Sequence, residues 1–159
     1  FRNKQKNNTI KGKTKVYLLG EDKLRIDIYD PVSGMFRVGQ LILNNSNMSL
    51  ETVTGLSYKG PATKEKIEQV LNVSVSPQDL FALFTQTGID ETKWTCSVAG
   101  DFNKYAKCES PSYQTEIVWT GSMTQKNTKM LLNHEKAELG FRVRDYGTVS
   151  EPKESIFKL

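Results

Sequence analysis

Few residues of this chain are equipped for chemistry. Cys96 and Cys108 are its two cysteines and His134 its single histidine, in 159 residues. The stretch between the cysteines includes Gly100, Asp101 and Asn103, and can turn between two strands to bring the sulfurs opposite each other. A disulfide there would contribute about 3 kcal/mol by restricting the unfolded chain; two unrelated buried thiols are the other reading. A disulfide would also indicate an exported, oxidising location. His134 sits in Asn133-His134-Glu135-Lys136-Ala137, whose charges read as a solvated loop, so a surface histidine is expected. Any Ser-His-acid or Cys-His nucleophile would rest on that residue alone, and one histidine with two distant cysteines does not complete a zinc site. The carboxylate pairs Asp90 with Glu91 and Glu135 with Glu138 are unavoidable among 18 acids. No nucleophile elbow, phosphate loop, dinucleotide fingerprint or calcium loop occurs. The expectation is a protein that is not an enzyme and carries neither cofactor nor metal.

Charge narrows the partners. There are 22 Lys+Arg against 18 Asp+Glu, a net charge of +4. Much of the positive charge falls in the first fifteen residues, at Arg2, Lys4, Lys6, Lys11, Lys13 and Lys15, and residues 1–12 read as a polar basic leader without periodicity. Paired aromatics of an RNA-binding signature are missing, as is zinc-finger spacing, so no nucleic-acid partner is expected. Such a leader suits anionic lipid head groups or an acidic protein surface. No stretch approaches the roughly 18 consecutive apolar residues of a membrane helix. The chain starts at Phe1 without a charged-then-apolar signal, from which a leader removed upstream is one expectation.

The elements that must position these residues are mostly strands. Leu24, Ile26 and Ile28 alternate with Arg25 and Asp27, the period of a half-buried strand. Lys13 to Leu19 precedes it across a Gly20-Glu21-Asp22 turn; Met35 to Leu43, Met48 to Val53 and Leu56 to Lys59 continue a run of antiparallel hairpins. At Gly60-Pro61 the period changes. Ile67, Val70 and Leu71 give residues 62–71 the narrow apolar stripe of a surface helix. Ser76, Pro77 and Asp79 start a second helix, which carries Leu80, Phe81, Leu83 and Phe84 before Gly88 ends it. Strands return at Trp94 to Val98, Tyr105 to Cys108, Gln114 to Trp119, Lys129 to Asn133, Leu139 to Arg144 and Ser155 to Leu159. The class is α+β: a single large antiparallel sheet, strongly curved because strands twist, with helices on its concave face.

A sequence of short motifs is more specific. Leu24-Arg25-Ile26-Asp27-Ile28-Tyr29-Asp30-Pro31-Val32-Ser33-Gly34 leads to a hairpin ending in Tyr58-Lys59-Gly60-Pro61-Ala62, then the charged helix, then Val73-Ser74-Val75-Ser76-Pro77-Gln78-Asp79-Leu80. This order resembles LolB, the outer-membrane lipoprotein receptor of the Lol pathway, and the wider LolA/LolB lipoprotein-carrier superfamily. The resemblance covers roughly residues 10–86, and residues 13–159 would form one domain of that type.

The resemblance implies an unclosed half-barrel whose helices plug the concave side and leave an apolar pocket for acyl chains. Leu24, Ile26, Ile28, Val38, Leu41, Leu43, Leu50 and Trp119 are then candidate pocket residues of the sheet, with Ile67, Leu71, Leu80, Phe81 and Phe84 as the lid. It further implies a membrane-inserting loop, at Val32 with Met35 and Phe36. That loop is one residue longer than the family's, and Val32 stands at the family's leucine. The cysteine pair is not a family feature. The implied function is non-enzymatic binding and transfer of acylated lipoproteins on the periplasmic side of the outer membrane, anchored through a lipidated residue outside this chain, with a soluble LolA-like carrier and the membrane surface as partners. Binding of another lipid or glycolipid, or a structural lipoprotein with a filled core, are the alternatives.

Overall fold

A computed structural model describes residues 2–5, 7–9, 11–98, 104–148 and 153–159. Two compact units divide the chain: Ile10–Thr63 with Val149–Leu159, and Phe1–Thr9 with Lys64–Thr148. The class is α+β, mostly strand, with two α-helices among the described residues. The strands hydrogen-bond into two open antiparallel sheets, where one large sheet is the expectation from sequence.

Five strands make the first unit: β3 (Lys13–Leu19), β4 (Lys23–Tyr29), β5 (Arg37–Asn44), β6 (Asn47–Thr52) and β7 (Ser57–Pro61), in that spatial order. It is a simple meander, as hairpin turns between alternating segments dictate. Register places Leu24 opposite Leu43 and Ile26 opposite Leu41, which in turn oppose Met48 and Leu50. Those six side chains therefore share one face, and all are buried. The pairing skips at Ile28/Tyr29, a bulge that leaves Val38 without a partner on β4.

The other face of this sheet is covered too. Asp27 is 1% exposed, held by both Nε and Nη2 of Arg25 at 2.9–3.0 Å and by Nε2 of Gln40 at 2.8 Å. The segment expected as a strand at Ser155 to Leu159 lies there as a 3-10 turn, Glu154–Phe157. Side chains satisfy its carbonyls in place of a ladder: Arg25 Nη1 donates to Ile156 O at 2.9 Å, Asn44 Nδ2 to Phe157 O at 3.1 Å, and Lys59 Nζ to Leu159 O at 3.0 Å. Phe157 is buried as a result.

Among the described residues the second unit has seven strands: β1 (Arg2–Asn3), β2 (Asn8–Thr9), β8 (Thr95–Val98), β9 (Tyr105–Ser110), β10 (Thr115–Trp119), β11 (Lys129–His134) and β12 (Ala137–Arg142). Their order is β2-β1-β12-β11-β10-β9-β8, so the described part of the basic leader forms an edge of the sheet. Helices α1 (Lys64–Leu71) and α2 (Pro77–Thr85) belong to this unit. The expected capping box starts α2: Ser76 Oγ accepts from the Asp79 N–H and Asp79 Oδ2 from the Ser76 N–H, each at 3.1 Å. The helix stops earlier than Gly88. Gln86 takes the left-handed conformation, φ 57°, because its buried amide is fixed by three backbone groups, Tyr105 O, Gly121 O and the Met123 N–H.

Candidate functional site

Each candidate pocket residue is placed by the sheet or helix that bears it. In the five-stranded unit Leu24, Ile26, Leu41, Leu43 and Leu50 form one continuous apolar face, with Ile28 at its margin, 37% exposed, and Val38 half-buried at the bulge. Met48 completes that face and was not singled out from sequence. It is the residue opposite Leu43, so strand pairing is the signal that would have found it.

In the seven-stranded unit, Trp119 lies opposite Met130, which lies opposite Phe141. Helix α2 packs on that face: Trp119 Nε1 donates to Leu83 O at 3.0 Å, and Phe84 meets Phe141 edge to face with ring centres 5.2 Å apart. Ile67, Leu80 and Phe84 are buried, Leu71 and Phe81 half-buried. Phe141 was missed because its strand reads as unremarkable until its partner ring on the helix is known.

The cysteines are joined as a disulfide. Cys96 and Cys108 stand directly opposite in the β8/β9 register, Cα atoms 4.1 Å apart. Such spacing belongs to a non-hydrogen-bonded pair, where facing side chains approach most closely. The turn expected at Gly100, Asp101 and Asn103 lies outside the described residues, as does Lys6.

His134 corrects an expectation. It ends β11 and is only 3% exposed, since alternation places it on the face of Met130 and Leu132. Its Nδ1 accepts from the Lys136 N–H at 3.2 Å. Burial holds its pKa below the ordinary histidine value, the negative charge of Glu135 opposing that shift in part. Lys136 beside it donates to Glu68 of α1 at 3.0 Å, and this contact lowers the Glu68 pKa and raises that of Lys136. An open depression of about 450 Å³ adjoins this end, lined by Lys4, Glu109, Ser110, Thr115, Asn133, His134 and their neighbours. None of the candidate lipid-contacting residues lines it. Among the described residues no three His, Cys, Asp or Glu side chains gather as a metal site.

The loop between β4 and β5 is the most unusual feature. Val32 is 90% exposed, Met35 75% and Phe36 70%. The loop is nevertheless fastened. Asp30 Oδ1 accepts from the Val32 and Ser33 N–H groups at 3.1 and 2.7 Å; Oδ2 accepts from Ser33 Oγ at 2.7 Å and the Phe36 N–H at 3.2 Å. These donors, Ser33 Oγ foremost, hold the Asp30 carboxyl far below the usual carboxylate range. They also carry the loop through Phe36, so β5 begins at Arg37 where Met35 is the start expected from sequence. Asp30 was missed as the fastener, although an aspartate three residues ahead of a serine in a Pro-Gly turn is the pattern of a side-chain-closed turn.

The next hairpin ends beside this loop. The Val53 N–H donates to Val38 O at 3.1 Å, and Val53 and Leu56 are 71% and 48% exposed. Compared with known proteins, the sequence matches no family model and no curated protein.

Proposed function

We propose that this protein binds and transfers acylated lipoproteins at the periplasmic face of the outer membrane without covalent chemistry. The observation that carries the reading is the fastened loop presenting Val32, Met35 and Phe36 to solvent. Three large apolar groups exposed within five residues mark a surface made to meet an apolar medium. A loop ordered by its own aspartate arrives there with little left to lose in entropy. The order of motifs along residues 10–86 supports the same reading, with the helix-covered face of the seven-stranded sheet as the counterpart of the family's concave side. Apolar side chains around Phe84 and Trp119, where helix α2 packs on the seven-stranded sheet, are the surface that shelters the hydrocarbon. Each CH₂ so hidden is worth about 0.8 kcal/mol, which is why an acylated protein needs a carrier to cross water. Release is handover to a site of higher affinity, with a soluble LolA-like carrier as donor and the membrane as acceptor.

The test separates binding from delivery. Phe84→Asp abolishes binding of a fluorescent acyl probe, with Phe84→Leu and melting curves as the control for folding. Val32→Glu leaves binding of acylated cargo intact and blocks its incorporation into liposomes. Normal incorporation by the Val32→Glu protein would overturn the loop's role. Retained probe binding in a folded Phe84→Asp protein would favour a structural protein with a filled core.

A further inference from the structure

The exposed apolar groups do not end with the β4–β5 loop. In a meander β3-β4-β5-β6-β7, the β4–β5 and β6–β7 connections emerge at the same end of the sheet, and the bond from Val53 to Val38 ties them side by side. Val53 and Leu56 therefore extend the patch begun by Val32, Met35 and Phe36. Thr52 fixes the second turn as Asp30 fixes the first: its Oγ1 accepts from the Leu56 N–H at 3.2 Å, and its N–H donates to Leu56 O at 2.9 Å.

The charges around this end are uneven. Strand β3 starts here, Lys13 opposite Tyr29, with Lys11 and Lys13 exposed. The Lys13 side chain lies against Gly34: a Cβ there would come within 2.6 Å of its Cδ and Nζ, so a cation sits on the apolar loop itself. Arg37 follows Phe36 but turns its guanidinium to Asp27, Nη1 to Oδ1 at 3.7 Å, so among the described residues the free cations of this end are the two lysines. Of the nearby acids, Asp30 is saturated by loop donors, Asp27 is buried against Arg25, and Glu51 alone is exposed.

We propose that these two hairpins and the start of β3 form one docking tip for an anionic bilayer, in which Val53 and Leu56 insert beside the first loop and Lys11 and Lys13 lie at the head groups. It builds on the membrane-facing reading of Val32, Met35 and Phe36 and adds to it a second inserting hairpin and the lipid's charge. The occupant is a bilayer because exposed apolar groups of two adjacent turns lie beside the exposed Lys11 and Lys13, a pairing of apolar insertion with attraction to anionic head groups.

The experiment is co-sedimentation of the full chain with vesicles of phosphatidylcholine alone or mixed with phosphatidylglycerol, with no acylated cargo present. Binding is expected to be stronger to the mixed vesicles and to weaken as salt is added. Val53→Asp with Leu56→Asp lowers it at least roughly tenfold with melting unchanged. Lys11→Gln with Lys13→Gln weakens binding to anionic vesicles about fivefold per lysine and leaves binding to phosphatidylcholine alone unaltered. Unchanged binding in the Val53/Leu56 variant, or indifference to phosphatidylglycerol, would overturn the proposal. So would wild-type self-association that the Val53/Leu56 variant abolishes while vesicle binding stays unchanged. Because the vesicles are bare, failure of acyl-cargo binding and failure of the tip are read independently.

Discussion

Two turns of this protein are built by the same device and do opposite things. In the β4–β5 loop, Asp30 captures the N–H groups of Val32 and Ser33 and the Ser33 hydroxyl. Ahead of β8, Asp90 captures the N–H and hydroxyl of Thr92, at 3.0 and 2.6 Å, and adds an ion pair with Lys93 at 2.8 Å. Both carboxyls are held below their ordinary pKa, Asp90 at about 2 with Lys93 as the leading cause. The Asp90 turn shows Glu91, Thr92 and Lys93 to water and turns Trp94 inward, 3% exposed, edge-on to Tyr113 at 5.7 Å. The Asp30 turn shows Val32, Met35 and Phe36 outward. A side-chain-closed turn therefore imposes no apolar exposure. The outward apolar groups at Asp30 follow from that loop's own residues, not from the way the turn is closed.

The largest expected contrast lies between the aromatics each turn delivers. Trp94→Ala costs about 3–5 kcal/mol, since it empties a buried ring site, whereas Phe36→Ala changes stability by less than about 0.5 kcal/mol. Trp94→Phe is far milder than Trp94→Ala because the buried indole N–H has no hydrogen-bond partner among the described residues. Denaturant melts of the three variants check this; a Phe36→Ala loss comparable to that of Trp94→Ala would mean the loop packs inward in solution. A smaller contrast follows from cutting the fasteners. Asp90→Ala lowers the melting temperature because it frees the approach to Trp94. Asp30→Ala lowers it less, since no buried side chain depends on its turn, and removes hydrogen-exchange protection at the Val32, Ser33 and Phe36 amides. Protection surviving at Phe36 would show that Asp30 is not what holds the loop.

Alternation made the meander legible: Leu24, Ile26 and the hairpin turns read directly, as did the Ser76–Asp79 box and the facing cysteines. What failed to read were places where side chains, not periodicity, decide the backbone. Ser155 to Leu159 has strand-like composition, but Arg25, Asn44 and Lys59 take its carbonyls and bend it into a 3-10 turn. Gln86 ends α2 through three bonds to residues 19 to 37 positions away. His134 looked solvated because its neighbours in sequence are charged, yet its face of β11 is set by Leu132 two residues earlier. The division into two sheets was illegible for a related reason, as strand composition does not say with which neighbour a strand pairs. Of the candidate site, the apolar loop read from sequence and the adjoining Val53 and Leu56 did not, since only the meander brings the two turns together.

The finest distinction between the two turns is in their pH dependence. A carboxyl whose folded pKa is depressed stabilises its turn above its unfolded value, 3.8, and loses that contribution as pH falls through the folded value. Both turns should thus stay closed through the range where free aspartates protonate, with Asp90 opening near pH 2 and Asp30 lower still. The causes differ, so the shifts separate. Lys93→Ala removes the largest contribution at Asp90 and moves its titration upward, leaving Asp30 in place. Ser33→Ala removes the largest contribution at Asp30 and leaves Asp90 in place. NMR titration of the two carboxyl carbons in each variant measures this directly. Two resonances moving together would show that the turns are not independent, whereas separate movement shows that each is closed by its own donors and that they differ in the side chains they expose.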